Sequence, residues 1–303
     1  MLHEKSPQDI NKNIGEILPA LLKTLSDNSD EVVLLNLQVL ARISLDNTQF
    51  MRVLNAIVQL FLEDRMLLES RGALIIRKLC SLLVTYSLTH SLTHSLTHLL
   101  THSLTYLLTY LLTHSLTHSL THSPTQDCTN IYMTLSTIVL ERTELDFCSL
   151  FVQTLNLILL TAPELAPLRI KLKDCFQVAT RARFRLTHSL THSLTHSLTH
   201  SLSDRQIFVL LFKSWCHNSV ATFSLCLLAQ VYDLSSCLIQ KFAQVDVTVG
   251  FLMQIDKLVQ LLESPIFINL RLQLLEVNSN YHRFVTHSLT HSHTHSLTHS
   301  LTH

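Results

Sequence analysis

Apolar residues recur along this chain three and four positions apart, the period of a helix that buries one face. Ile10, Ile14, Ile17, Leu18, Leu21, Leu22 and Leu25 form the first such stripe. Ser6-Pro7 ahead of it offers an N-cap followed by proline at the first helical position. Ser26-Asp27-Asn28-Ser29 ends this helix and caps the next, in which Val32, Val33, Leu35, Leu37, Val39, Leu40 and Ile43 occupy more than one face. A helix apolar on several faces needs neighbours on several sides. The pattern continues through Thr48–Leu62 and Arg65–Leu83, where Glu69, Arg71, Arg77 and Lys78 mark solvated positions, and through Asn130–Glu141 and Glu144–Leu160. Pro163 and Pro167 punctuate the chain before Leu168–Phe176. Asp204–Cys216, Ser219–Gln230, Ser235–Phe242, Val247–Leu262 and Pro265–Val277 complete the series. Short helices joined by turns of a few residues predict an all-α fold, an α-solenoid of stacked helix pairs.

Three segments break the pattern: about Ser87–His122, Leu186–Ser201 and Thr286–His303 repeat Ser-Leu-Thr-His with a period of four. They contain no Asp, Glu, Lys or Arg, and every histidine of the chain except His3, His217 and His282. The DNA tetranucleotide ACTC, read in triplets, encodes Thr-His-Ser-Leu in any frame. ACTT encodes Thr-Tyr-Leu-Leu, the variant at Thr105–Leu112. The blocks therefore read as translated simple-sequence DNA. On a helix a four-residue period drifts by about 40° per repeat, so neither Leu nor His marks a face. On a strand Leu and His would share one side. With preference divided and no charge to pin a register, irregular or aggregation-prone structure is expected here. The implied organisation is HEAT-like helix pairs at 1–84, an insertion at 85–126, helical repeats at 127–185, an insertion at 186–203, C-terminal repeats at 204–284 and a repeat tail at 285–303.

Composition narrows the function classes. Gly15, Gly72 and Gly250 are the only glycines, where an average chain this long has roughly 20. Tight hairpins and phosphate-cradling loops need glycine's positive φ. A β-rich fold, a Rossmann site and a P-loop are therefore disfavoured, and neither nucleotide-binding string occurs. Net charge is zero, which gives nucleic acid and anionic membranes no electrostatic attraction. The seven cysteines are scattered, form no CxxC pair, and read as reduced, packed thiols. Met1–Asp9 is too polar for a signal peptide, and no apolar run reaches transmembrane length.

Candidate chemistry is sparse. Cys216-His217 pairs a nucleophile with a base, but neighbours on a helix point about 100° apart. A packed cysteine beside a capping histidine is the simpler reading. Asp256 and Glu263 on apolar helices read as a solvated stripe. Arg181, Arg183 and Arg185 form a basic cluster able to touch phosphoinositide headgroups. Histidines four apart in the blocks could share a transition metal or charge together near pH 6, or do neither. No catalytic, cofactor or metal residues are assigned, and no cofactor is expected. As partner-contacting residues the sequence offers Trp215, His217, Asn218, Pro265 and Phe267. Tryptophan is enriched at interfaces, although Trp215 is read first as core.

Leu18-Pro19-Ala20-Leu21-Leu22, then Ser26-Asp27, then Glu31-Val32-Val33 resembles the HEAT-repeat pattern of a proline-bent first helix, an Asp in the turn and a valine opening the second helix. Longer strings narrow the resemblance: Leu21–Asp27 with Ser29–Leu34, Leu67-Leu68-Glu69 with Arg71-Gly72, and Ile75–Cys80. Then come Ser214–Asn218, Leu238–Phe242, Val247-Thr248-Val249, Asp256–Leu261, and Ser264–Phe267 through Leu270–Leu275. In this order they resemble the C-terminal part of the vacuole-morphology HEAT-repeat scaffold that organises PIKfyve, the phosphatidylinositol-3-phosphate 5-kinase. The resemblance implies a non-enzymatic scaffold that binds a Sac-domain phosphoinositide 5-phosphatase, self-associates, and sets phosphatidylinositol 3,5-bisphosphate levels. It also implies a cytoplasmic protein, peripheral on endosomal and vacuolar membranes. The family's long N-terminal array has no counterpart here, so the phosphatase is expected as partner ahead of the kinase. The alternatives are an adaptor for an unrelated protein, a histidine-based metal or pH sensor, and a nonfunctional gene-model fragment.

Overall fold

The computed structural model of the chain describes residues 7–102, 128–176, 205–242, 244, 248–263, 268 and 271–272. Every regular element among them is helical. The chain divides into two compact units, Met1–Thr143 and Glu144–His303.

In the first unit α1 (Pro7–Lys23) leads through a 3-10 turn (Thr24–Ser26) to α2 (Asp30–Ile43) and α3 (Asn47–Glu63). A short turn (Arg65–Leu67) and a π-helical turn (Leu68–Gly72) open α4 (Ala73–His102), and α5 (Cys128–Leu140) follows. Capping explains the breaks. The Asp46 carboxylate accepts from the Thr48 and Gln49 amides at 2.9 and 3.1 Å, and that of Asp64 accepts from the Leu67 amide at 3.0 Å. Ser29 precedes α2 without a side-chain cap, its own amide donating to Asp27 Oδ1 at 2.8 Å instead.

Packing follows a two-layer rule: α1 lies on α3, α2 on α4, and α3 on α5. The predicted all-α character is thus present in this unit. Val33, Leu37, Leu40, Val53, Val58, Phe61, Ile75 and Leu83 are fully buried between the layers, each contributing about 1.5–3 kcal/mol of transfer free energy. Two polar ties hold the α1–α2 turn. Buried Asn36 donates from Nδ2 to the Leu21 carbonyl and the Thr24 hydroxyl. Arg71 donates to the Asp27 and Asn28 carbonyls at 2.7 and 3.2 Å and pairs with Asp30 at 3.2 Å.

Two expectations need correction. The predicted helix Arg65–Leu83 is interrupted by the π-turn, where buried Leu68 packs over Gly72. A Cβ at Gly72 would sit 2.7 Å from Leu68 Cδ1, so any larger residue there would have to displace the Leu68 side chain. Second, α4 does not stop ahead of the first Ser-Leu-Thr-His block but runs through it to His102. A nucleated, packed helix gains a hydrogen bond for each added residue at low cost, so mediocre formers can extend it. The Thr89 and Thr93 hydroxyls donate back to the Tyr86 and Thr89 carbonyls at 2.9 Å. Leu88 and Leu92 are exposed, so these two leucines of the extension add no core. Residues 103–122 of that block, and the second and third blocks, lie outside the described residues.

The second unit comprises α6 (Leu145–Thr161), a 3-10 turn (Pro163–Leu165), α7 (Ala166–Asp174), α8 (205–215), α9 (Ser219–Leu228), α10 (Tyr232–Phe242) and α11 (Val249–Glu263). Pro167 sits in the first turn of α7 instead of ahead of it, where its missing N–H costs nothing. Of the predicted helix Pro265–Val277, Ile268, Arg271 and Leu272 are described and helical.

The hub is α9, which packs against α6, α7, α10 and α11 and is buried at every position from Val220 to Leu228 except Phe223. Its C-terminus closes as a Schellman motif: the Gln230 amide donates to Leu227 O and the Val231 amide to Cys226 O, at 3.1 and 3.0 Å. Gln230 pays for this with a left-handed φ of 58°. Gln230→Gly is therefore expected to raise stability by about 0.5–1 kcal/mol, read from the urea midpoint.

Among the described residues no single helix is long and apolar enough to cross a membrane. The apolar pair Leu145–Thr161 and Pro163–Asp174 is bent by 85°.

Candidate docking surface

The second unit carries an open groove. Both α6 and α11 pack on α9, and the groove between them is floored by residues at the N-terminus of α9. One cavity of about 290 Å³ is lined by Gln153, Asn156 and Leu157 of α6, Val220 and Ala221 of α9, Gln254, Lys257 and Leu258 of α11, and Asn218. A second, about 350 Å³, adjoins it, with Ser149, His217, Phe242, Thr248, Gly250 and Phe251 in its wall. Asn218 and Gln254 belong to both, so the two form one continuous depression. The lining positions on α6 (149, 153, 156, 157) and α11 (250, 251, 254, 257, 258) follow the i, i+4, i+7, i+8 spacing of a single helical face.

A buried polar network fixes the floor. Asn218 caps α9, its Oδ1 accepting from the Ala221 amide at 3.0 Å while its Nδ2 reaches Ser149 Oγ at 3.4 Å. Asn156 Oδ1 accepts from Ser224 Oγ at 2.7 Å and from Trp215 Nε1 at 3.5 Å. The Thr222 hydroxyl donates to the carbonyls of Trp215 and Asn218 at 2.6 and 2.9 Å. Phe242 and Phe251 meet edge-on at 5.6 Å in the wall.

The partner-contact residues chosen from sequence thus fall in different settings. His217 is half-buried and faces the second cavity. Asn218 is buried as a cap, and Trp215 is fully buried in the core. Pro265 and Phe267 lie outside the described residues, as do Arg181, Arg183 and Arg185. Asn156, Leu157, Gln254 and Lys257 were not picked out. The signal at Asn156, Gln254 and Lys257 was a polar stripe at helical spacing on otherwise apolar helices, and Leu157 gave none.

Cys216 is exposed, but burial of its sulfur pushes the thiol's pKa up, the reverse of what an activated nucleophile needs. Cys226 is pushed up to about 12, first by burial and then by the nearby charge of Cys216. Cys216 and Cys237 are exposed and the other five cysteines are buried. In the native chain near pH 8, iodoacetamide is expected to label Cys237 first and Cys226 only on unfolding, read by peptide mass spectrometry. Because the folded Cys226 thiol ionises later than the unfolded one, it favours the fold below the ordinary value of 9.0, and that contribution is lost as pH rises toward about 12. Asp256 is exposed and accepts from Gln260 at 2.7 Å, and Glu263 is exposed, as a solvated stripe requires. Among the described residues no three His, Cys, Asp or Glu side chains come together as metal ligands.

These features define an all-α protein of packed helix pairs with an open groove on its C-terminal unit. A family model described as "Vacuolar protein 14 C-terminal Fig4p binding" matches residues 112–291, more than half of the chain, and the chain belongs to that family. It is 38% identical over 263 residues to the Protein VAC14 homolog of Arabidopsis thaliana, covering 87% of this chain and 26% of that protein. It is 34% identical over 262 residues to the Protein VAC14 homolog of Schizosaccharomyces pombe, covering 86% and 24%. Against the Vacuole morphology and inheritance protein 14 of Saccharomyces cerevisiae it is 27% identical over 278 residues, covering 91% and 24%. The chain spans about a quarter of the length of these relatives. No solved structure matches. The family resemblance read from the sequence is therefore correct.

Proposed function

We propose that the chain is a non-catalytic scaffold that binds a Fig4-type Sac-domain phosphoinositide 5-phosphatase and, through it, takes part in control of phosphatidylinositol 3,5-bisphosphate. The observation that carries this reading is the Fig4p-binding family match across residues 112–291, a span that includes α5 and every helix of the second unit. A platform holding a phosphatase beside an opposing lipid kinase couples the two by raising their effective concentration. The kinase, self-association, and a peripheral place on vacuolar or endosomal membranes follow as further parts of the same reading.

The test is sedimentation of the purified full chain with the purified Fig4-type phosphatase. A complex sedimenting faster than either protein alone is the expected result. Two independent boundaries, from a chain shown by circular dichroism to be helical, would overturn the reading.

A further inference from the structure

Resting on the phosphatase-binding reading, we propose that the groove between α6 and α11 is where the phosphatase docks, receiving an apolar segment of that partner headed by an acidic side chain.

Charge complementarity selects the acidic head. The N-termini of α9 and α11 both reach the His217 end of the groove, through Ser219 and through Thr248 and Gly250. Neither helix carries an acidic residue in its first turn. A helix N-terminus presents unpaired amides and about half a positive charge, which a carboxylate within the first turn neutralises. Among the described residues no carboxylate does so here, since both caps are neutral: Asn218 Oδ1 accepts from the Ala221 amide and Thr248 Oγ1 from the Phe251 amide. Among the described residues no Asp or Glu lines either cavity, and the charged side chain in the lining is Lys257 at the far end. Gly250 leaves its backbone open, with no atom within 4 Å of where a Cβ would stand.

Exposure selects the apolar body. Leu157 lines the groove yet is 48% exposed, and Met253, 58% exposed, lies on the same edge of α11 as Gly250 and Lys257 by helical spacing. Val220, Leu258, Phe242 and Phe251 continue the wall beneath them. Each cavity has the volume of a few side chains, and side by side they can take a short segment with alternating anchors.

The test measures affinity of the full chain for the purified phosphatase by isothermal titration calorimetry at two salt concentrations. Gly250→Asp places a carboxylate in the first turn of α11, where it stabilises the helix, so weakened binding would not come from misfolding. Lys257→Glu reverses the charge at the other end. Val209→Glu, exposed on α8 outside the groove, is the control. Each groove variant is expected to weaken binding about ten-fold, the control to stay within about two-fold, and wild-type affinity to fall with salt. Groove variants that bind like wild type would overturn the docking site and leave the scaffold reading intact. Groove variants that keep the phosphatase but separate copies of this chain would assign the groove to self-association instead and equally overturn it. A wild-type chain that binds no phosphatase would remove both.

Discussion

Trp215→Ala is expected to lower the stability of the second unit by about 3–5 kcal/mol, the range for emptying a fully buried tryptophan site. Trp215 has no exposed surface, and its surroundings are poorly placed to collapse into the void. It ends α8, its carbonyl is held by Thr222 of α9, and its indole N–H faces Asn156 of α6. Three elements are thus pinned around the ring, and relaxation of any one breaks a buried hydrogen bond. The indole bond itself is long at 3.5 Å, so most of the loss is packing. Trp215→Phe, which keeps the bulk but loses the N–H, is expected to cost about 1–2 kcal/mol. Because Trp215 is the chain's single tryptophan, the variants must be followed by far-UV circular dichroism in urea, not by intrinsic fluorescence. A loss below about 1 kcal/mol in Trp215→Ala would show that the helices around the site repack freely. The same variant should leave Asn156 held by Ser224 alone and so loosen the floor of the groove, tying binding to core packing without any contact between Trp215 and a partner.

Trp215 also shows what the sequence made legible. A lone tryptophan at a helix end fits core and interface equally well, and only tertiary packing separates the two. The helices themselves were readable because apolar spacing is a local signal reinforced by local chemistry: Pro7 opens α1 and Ser219 opens α9 as the pattern requires. Where packing overrode local preference, the reading failed. The π-turn at Leu68–Gly72 sits where Leu68 is buried over Gly72, and the extension of α4 to His102 depends on a helix already nucleated upstream. The groove was invisible for a related reason. Ser149, Gln153 and Asn156 look like an ordinary wet stripe on α6 until α9 and α11 are placed beside it. Nor could spacing alone join α5 to the first unit, since α5 lies beyond the first repeat block and meets its partners only in three dimensions.

That long-range pairing makes Phe61 a sensitive point of the first unit, and Phe61→Ala is expected to cost about 3–5 kcal/mol. Phe61 is fully buried near the end of α3. α3 packs on α1 and α2 before the repeat block and on α5 after it. Closing a long loop has an entropic cost that grows only slowly with length, so the contacts of α3 and α4 with α5 must offset it. A cavity in α3 weakens that offset as well as the local core. The substitution should therefore unfold α5 together with α3, seen as joint loss of amide hydrogen-exchange protection at Ile131–Val139 and Val53–Phe61. Leu35→Ala provides the contrast, since Leu35 is 62% exposed on α2 and its truncation should stay within about 0.5 kcal/mol. Protection retained in α5 while α3 opens would mean that the contacts of α4 with α5 suffice to close the loop. The first unit would then be held across its insertion by that layer alone.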